Sequence, residues 1–417
     1  MPSIPPLDPR RPMDGLTRRT LLKASCGIGA AGVLAGAAAV TWDQVLHRSA
    51  TTPLAGQTRI LVLVTLYGGN DGLNTVVPYA DPAYHDSRPE LAYTPEEVLH
   101  LDGSLGLNPG LKGLADLWKQ KQLIIVRGVG YPQPDHSHFR SMDIWQTAAA
   151  KSPVASGWIG RWLDAAGSDP LLALNIGDVL PPLAVGVTTT AAALSLTPQA
   201  RASTGRDSAF AAFAAVDPKD TTAAKQVVAS YAAVGRVQTT FADAATASDT
   251  AAPADPEVKG GLAEQLALVA RCIRAGAPAR VYSVSLGGFD THADEKTAQT
   301  IQLTQLDKAL TSFRAALAGH PREKDVTTVA YSEFGRRVKA NASQGTDHGT
   351  ANNVFVMGAS VRGGYVGDQP SLTDLDNGDL RSTVDFRAVY GDLLRSVLDA
   401  DPSRVLDKQF APLGLFA

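Results

Sequence analysis

The run Arg59-Ile60-Leu61-Val62-Leu63-Val64-Thr65-Leu66 most limits what this chain can become. It is apolar without alternation, so neither face can be left in water; a strand of that kind lies inside a parallel sheet covered on both sides by helices. The run ends at Gly68-Gly69-Asn70-Asp71-Gly72, which puts polar side chains on the loop at its carboxyl end. A helix from Leu111 to Gln120 and a strand Leu123-Ile124-Ile125-Val126 come next. Strand and helix in alternation predict a doubly wound α/β sheet rather than two packed β-sheets.

The alternation resumes late in the chain. A helix from about Glu257 to Ala275 precedes a strand over Arg280 to Leu286, and a helix over Glu295 to Leu317 precedes a strand over Val326 to Tyr331. Asn353 to Met357 reads as a further strand and Phe386 to Leu398 as a closing helix. Between the two halves, residues 155–260 are rich in Ala and Thr, with an amphipathic stretch from Ala223 to Ala245. That segment is expected to be a largely helical insertion, either a lid or a surface excursion without catalytic role. With 417 residues, 44% apolar and 19% charged, the chain can fill one large core. A net charge of −3 and a pI near 6.2 leave no basic footprint, so no nucleic-acid partner is expected.

Thr17-Arg18-Arg19-Thr20-Leu21-Leu22-Lys23, followed by the Ala- and Gly-rich run Ala24 to Val40, reads as a twin-arginine export signal. The run is too short and too weakly apolar for a lasting span, so no stable membrane segment is expected after signal cleavage. The expected divisions are a signal over 1–40, a tether over 41–57 and a single domain over 58–417, delivered to the periplasm or cell exterior. This route carries folded proteins, often with a cofactor already inserted, and so favours a metal site. Beyond the signal only Cys272 remains, which excludes an intramolecular disulfide and reads as a small buried hydrophobe.

Ligands of open α/β sheets bind beyond the carboxyl ends of the strands. Asp71, Asp290 with His292, and Glu333 each follow a predicted strand within a few residues, and Asp347-His348-Gly349 lies in a later loop. Carboxylates and imidazoles held on strand-end loops are what a divalent metal needs. Taken singly, each has a plainer reading: Asp290 and His292 on a surface loop, Glu333 paired with Arg336, Asp347 in a turn. Ser137 either caps the helix that begins there or, placed among the helix N-terminal amides, acts as a nucleophile. His138 is a ligand or base, or hydrogen-bonds its loop. No Gly-x-Ser-x-Gly, Walker-type loop or His-Glu-x-x-His occurs.

Together with the twin-arginine start, Gly68-Gly69-Asn70-Asp71-Gly72-Leu73-Asn74, Ser137-His138-Phe139 with Asp143-Ile144-Trp145, Gly157-Trp158-Ile159-Gly160-Arg161, Gly288-Phe289-Asp290-Thr291-His292, Ser332-Glu333-Phe334-Gly335-Arg336 and Asp347-His348-Gly349 resemble the bacterial family called domain of unknown function 1501. That family is similar to the alkaline-phosphatase and sulfatase superfamily. The resemblance implies a three-layer α/β/α sandwich with a mostly parallel central sheet, alkaline-phosphatase-like, and one or two divalent metals. It implies metal ligation by Asp71, Asp290, His292, Glu333 and His348, with Ser137 as the nearest candidate nucleophile. Two departures stand out: Asp290 and His292 are closer together than is usual there, and Glu333-Phe334 replaces an Asp-His pair. No Cys-x-Pro-Ser-Arg segment follows the first strand, which disfavours a formylglycine sulfatase.

The expected function is an exported, metal-dependent hydrolase of phosphate or sulfate esters, acting on a small-molecule or glycan ester. Ser137 would attack, with His138 beside it, and Arg336 would hold a substrate oxygen. The alternative is a non-catalytic periplasmic or cell-surface binding protein on a degenerate phosphatase-like fold.

Overall fold

Ile60–Leu66 forms the strand that its apolar run predicts, and its side chains divide between two cores. Ile60, Val62, Val64 and Leu66 face one, whereas Leu61 and Leu63 face the other. The computed structural model describes residues 39–196, except 153, 168, 178 and 179, and residues 261–417. The twin-arginine segment and the stretch from Ala223 to Ala245 lie outside the described residues.

Ten strands build the central sheet among the described residues. They are β1 (Ala39–Val40), β2 (Ile60–Leu66), β3 (Leu123–Gly130), β4 (Ala173–Ile176), β5 (Ala192–Leu194), β6 (Val281–Leu286), β7 (Val326–Ser332), β8 (Asn352–Gly358), β9 (Gly364–Val366) and β10 (Val384–Asp385). Their order is β1-β5-β4-β6-β2-β7-β8-β3-β9, with β10 also paired to β3. Only β8 runs antiparallel to its neighbours, so the sheet is mostly parallel.

Helices α1 (Trp42–Thr51), α2 (Lys112–Lys119), α3 (His138–Thr147), α4 (Trp158–Ala166), α5 (Gly261–Arg274), α6 (Glu295–Leu317) and α7 (Phe386–Ser396) cover it. Leu114, Leu117, Leu266, Val269, Leu306 and Leu310 bring α2, α5 and α6 onto one face. Trp145, Trp158, Trp162, Tyr390 and Leu393 bring α3, α4 and α7 onto the other. The result is a three-layer α/β/α sandwich. Cys272 is buried in α5 as a free thiol, and burial pushes its pKa up to about 12, so it packs rather than reacts. No helix among the described residues is long and apolar enough to cross a membrane.

Two expectations need correction. Residues 41–57 are not a structureless tether: Thr41 and Gln44 form a reciprocal capping box that starts α1, and Val45 and Ser49 bury its inner side. Nor is the start of the 155–260 segment an excursion, because β4 and β5 are strands of the main sheet. The remainder of that segment, 197–260, lies outside the described residues.

The register decides where function can sit. Leu66 pairs with both Leu286 and Ser332, so β2, β6 and β7 end level and release their loops at one height. Beneath those loops lies a buried charged group. Arg88, fully buried, ion-pairs with Asp71 and donates to the carbonyls of Val338 (3.0 Å) and Arg337 (2.6 Å). Asp71 also accepts from the Leu73 amide (3.0 Å), capping the short helical turn Gly72–Thr75. Losing one partner of such a buried pair costs roughly 3–5 kcal/mol.

Glu295, the first residue of α6, is a second buried carboxyl in this group, and Thr346 donates its hydroxyl to it (2.5 Å). Burial and then the Asp71 charge push the Glu295 pKa up to about 9. For Asp71 burial acts upward, but the Arg88 charge and a hydrogen bond from Glu295 outweigh it and hold the pKa low. One guanidinium therefore balances one carboxylate, and Glu295 keeps its proton.

The sign of the resulting pH dependence follows. An unfolded Glu295 ionises near 4.5 and the folded one near 9, so between these values the folded state holds the extra proton. Stability falls as pH rises through that window, by about 1.4 kcal/mol per pH unit for one proton, and is fully present only below the unfolded value. Glu295→Gln replaces the acidic proton with a permanent N–H donor. Urea unfolding from pH 5 to 9 is expected to lose about one proton's worth of slope in the variant, and parallel profiles for the two proteins would contradict the assignment.

Candidate metal centre

Four loops meet at the level edge. They follow β2 (Tyr67 to Asp71), β3 (Tyr131 to Ser137), β6 (Gly287 to Asp294) and β7 (Glu333 to Gly335), and His348 arrives on the short antiparallel pair Arg336–Ala340 and Thr346–His348. The approach of the first and third loops is tight. Gly68 has φ +118°, and a Cβ there would lie 2.4 Å from the Asp290 amide nitrogen, so only glycine fits.

Arg336 locks this arrangement. Its guanidinium, buried on all sides, donates to the carbonyls of Gly69 (2.6 Å), Gly68 (2.5 Å), Thr346 (2.9 Å) and Phe289 (3.0 Å), and to Asp290 Oδ1 (2.8 Å). The expected role of Arg336 in gripping a substrate oxygen is therefore replaced. Its donors are committed to the protein, and it holds three loops together.

Asp290 Oδ1 is the centre of the cluster. It lies 3.0 Å from His292 Nε2, 3.2 Å from His348 Nε2 and 3.4 Å from His138 Nε2. Burial alone would raise the Asp290 pKa; the hydrogen bond and charge of the Arg336 guanidinium act against this and hold it low, so the carboxylate is ionised. The His348 pKa is lowered, chiefly by burial, which favours the neutral ring.

The far sides of the rings settle where their protons are. His348 Nδ1 lies 2.7 Å from the His136 carbonyl, and a carbonyl only accepts, so Nδ1 carries the hydrogen and Nε2 of the neutral ring presents a lone pair. His138 Nδ1 lies 2.9 Å from Glu333 Oε1, which fixes the same tautomer there. His138 Nε2 is buried and makes no hydrogen bond. Two imidazole lone pairs thus face an ionised carboxylate oxygen at 3.2 and 3.4 Å. Acceptors opposed in this way suit a cation between them, and His292 Nε2, 3.0 Å from both Asp290 Oδ1 and His348 Nε2, can offer an N–H to either.

The donor set fits a divalent metal ion. His138, Asp290 and His348 each offer an atom, all within 4.8 Å of one another. Ligand atoms around a tetrahedral ion at 2.0–2.1 Å are about 3.3 Å apart; the spacings to Asp290 Oδ1 are 3.0–3.4 Å, inside a group that spans up to 4.8 Å. The Glu333-His138 and carbonyl-His348 contacts are the outer hydrogen bonds that orient metal-bound imidazoles. His292 Nε2 lies 3.0 Å from Asp290 Oδ1 and from His348 Nε2 but outside this group of three, and Asp347 Oδ1 is 3.7 Å from its Nδ1, so Asp347 stands behind a ring rather than in the centre.

Among the other residues expected here, Asp290, His292 and His348 come together. Asp71 does not: it is tied to Arg88 and faces Glu295. Glu333 sits behind His138, accepting from the Gly68 amide (2.9 Å) and from the Ser332 hydroxyl (2.9 Å), and lies outside the group formed by His138, Asp290 and His348. His138 takes the place these two leave. With Asp71 and Glu333 withdrawn, the set suits one ion rather than two. Ser137 is exposed at the N-terminus of α3, and its side chain makes no capping hydrogen bond. Two positions next to the cluster escaped the sequence reading, Glu295 and His136. A signal for the last existed, since His136 and His138 alternate across Ser137 just after β3.

Solved structures to which the chain is similar include a protein in the alkaline phosphatase superfamily from Vibrio parahaemolyticus, at 10% identity over 88% of this chain and 79% of that one, with a TM-score of 0.40. The lipoteichoic acid synthase LtaP from Listeria monocytogenes shares 9% identity over 74% and 68%, with a TM-score of 0.33. BT1596, a 2-O GAG sulfatase, shares 10% over 73% and 65%, with a TM-score of 0.30. Among curated proteins none matches this chain. Residues 128–397, well over half of the sequence, match the family described as Protein of unknown function (DUF1501), and the chain belongs to that family.

Proposed function

We propose that the chain is an exported metal-dependent hydrolase of phosphate or sulfate esters, with a single ion held by His138, Asp290, His348 and His292. The observation that carries this reading is the meeting of imidazole lone pairs with the ionised Asp290 carboxylate, each ring oriented from behind. A nitrogen-rich donor set favours a borderline ion such as zinc over magnesium or calcium. The ester class, a small-molecule or glycan ester, is the one implied by the resemblance to the alkaline-phosphatase and sulfatase superfamily. The twin-arginine motif supports delivery to the periplasm or beyond.

Bound, the ion would supply Lewis-acid polarisation of an ester oxygen and stabilise developing negative charge. The chain supplies the rest. Glu333 holds the His138 ring in the tautomer that frees Nε2, and the His136 carbonyl does the same for His348. Arg336 keeps Asp290 ionised and aimed. Ser137, exposed beside His138 at the start of α3, is the proposed nucleophile, and the first-turn amides of α3 favour negative charge close by. Its hydroxyl oxygen would displace the alcohol of the ester, and water would then release the acid and restore the serine.

Purified protein, stripped of metal and reloaded with zinc, should turn over aryl phosphates or aryl sulfates only when loaded. His348→Ala and His138→Ala should lose both metal and turnover. Glu333→Gln should keep its fold and weaken zinc affinity by about 10- to 100-fold, the usual effect of removing an outer hydrogen bond to a ligand. A wild-type protein that binds no metal would leave the site to the binding-protein reading. Ser137→Ala separates the nucleophile from the centre: zinc affinity should stay within about twofold while turnover falls to background, by 10²-fold or more (roughly 3 kcal/mol in the barrier). Full turnover in that variant would assign the attack to water.

A further inference from the structure

Asp379 is a buried carboxylate that the proposed chemistry does not use. It lies on a hairpin formed by Leu375–Asp376 and Asp379–Leu380, whose turn residues Asn377 (φ 52°) and Gly378 (φ 91°) are both left-handed, the geometry an Asn-Gly hairpin requires. The hairpin is fastened to the His348 loop by the Thr350 hydroxyl, which donates to the Leu380 carbonyl (2.5 Å). Asp379 is 4% exposed, and burying an ionised carboxylate is costly unless it is partnered. Its Oδ2 lies 2.8 Å from His136 Nε2; its Oδ1 is buried without a hydrogen bond, with Arg337 Nε at 3.5 Å.

His136 is half in solvent, so nothing but Asp379 among the described hydrogen bonds fixes its ring. Its backbone carbonyl, however, is the acceptor that sets the His348 tautomer. We propose that Asp379 is a positioning residue for His348: by tethering the His136 ring it holds the carbonyl that keeps the His348 proton on Nδ1 and its Nε2 lone pair on the cluster. The arrangement is a longer counterpart of the direct Glu333-His138 contact. That the oriented lone pair serves a metal rests on the reading given under Proposed function; that it is oriented does not.

Two readouts on the full chain keep these apart. The first is ¹⁵N NMR of the imidazoles in metal-free protein, where wild type should show His348 as a single Nδ1–H tautomer. In Asp379→Asn and His136→Ala the tautomers should mix. The second is Co²⁺ titration followed by visible absorption: both variants should bind about 10-fold more weakly, at the low end of what outer-shell substitutions cost. Asp376→Asn, an exposed change on the same hairpin, should match wild type in both readouts. If Asp379→Asn fails to fold, His136→Ala carries the test, since it removes the tether and keeps the carbonyl. An unchanged His348 tautomer in the folded variants would overturn the proposal. Mixed tautomers in a protein that binds no Co²⁺ would uphold the tether and remove the metal reading instead.

Discussion

The guanidinium of Arg336 is the interaction on which the rest of the site depends. Three strands ending level place their loops at one height, but register alone does not make the loops converge. Arg336 does so by donating to Gly68 and Gly69 after β2, to Phe289 and Asp290 after β6, and to Thr346 just before His348. A guanidinium can do this because its donors are fixed in one plane and stay charged, whereas a lysine offers one point of charge. Buried among carbonyls and one carboxylate, it also balances the negative charge of Asp290, which lets an ionised oxygen stand among three imidazoles.

Charge is distributed in two tiers. The lower tier, Arg88, Asp71 and the protonated Glu295, is sealed from solvent and ties the β2 loop to the start of α6. The upper tier, Asp290 with His138, His292 and His348, is open to solvent. Thr346 joins them, its hydroxyl on Glu295 and its carbonyl on Arg336. A change in the lower tier therefore reaches the cluster through strand-end geometry and not through direct contact.

Much of this was legible in the sequence, for definite reasons. A strand buried on both faces is rich in apolar and β-branched residues without alternation, so β2, β6, β7 and β8 announce themselves, and the loops beyond them locate the site. The short strands β4 and β5, Ala-Leu-Asn-Ile and Ala-Ala-Leu, hold a single β-branched residue between them, Ile176, and so the start of the 155–260 segment reads as an insertion. Roles within the site are harder to read than its place. Asp71 and Glu333 carry the same chemistry as a ligand; what diverts them is Arg88, seventeen positions on, and the ring of His138, contacts that no spacing rule reveals. Glu295 looks like any acid at a helix start until the fold buries it beside Asp71.

The central claim is that His138, Asp290 and His348 close on one ion, and its location can be observed directly. Crystals of the protein grown with zinc, measured above and below the zinc absorption edge, should give one dominant anomalous peak within about 2.0–2.3 Å of His138 Nε2, His348 Nε2 and an Asp290 oxygen. A zinc peak elsewhere, or on Asp71 or Glu333, would contradict the account, as would a cluster that stays without zinc while the Asp290 to imidazole contacts persist unchanged.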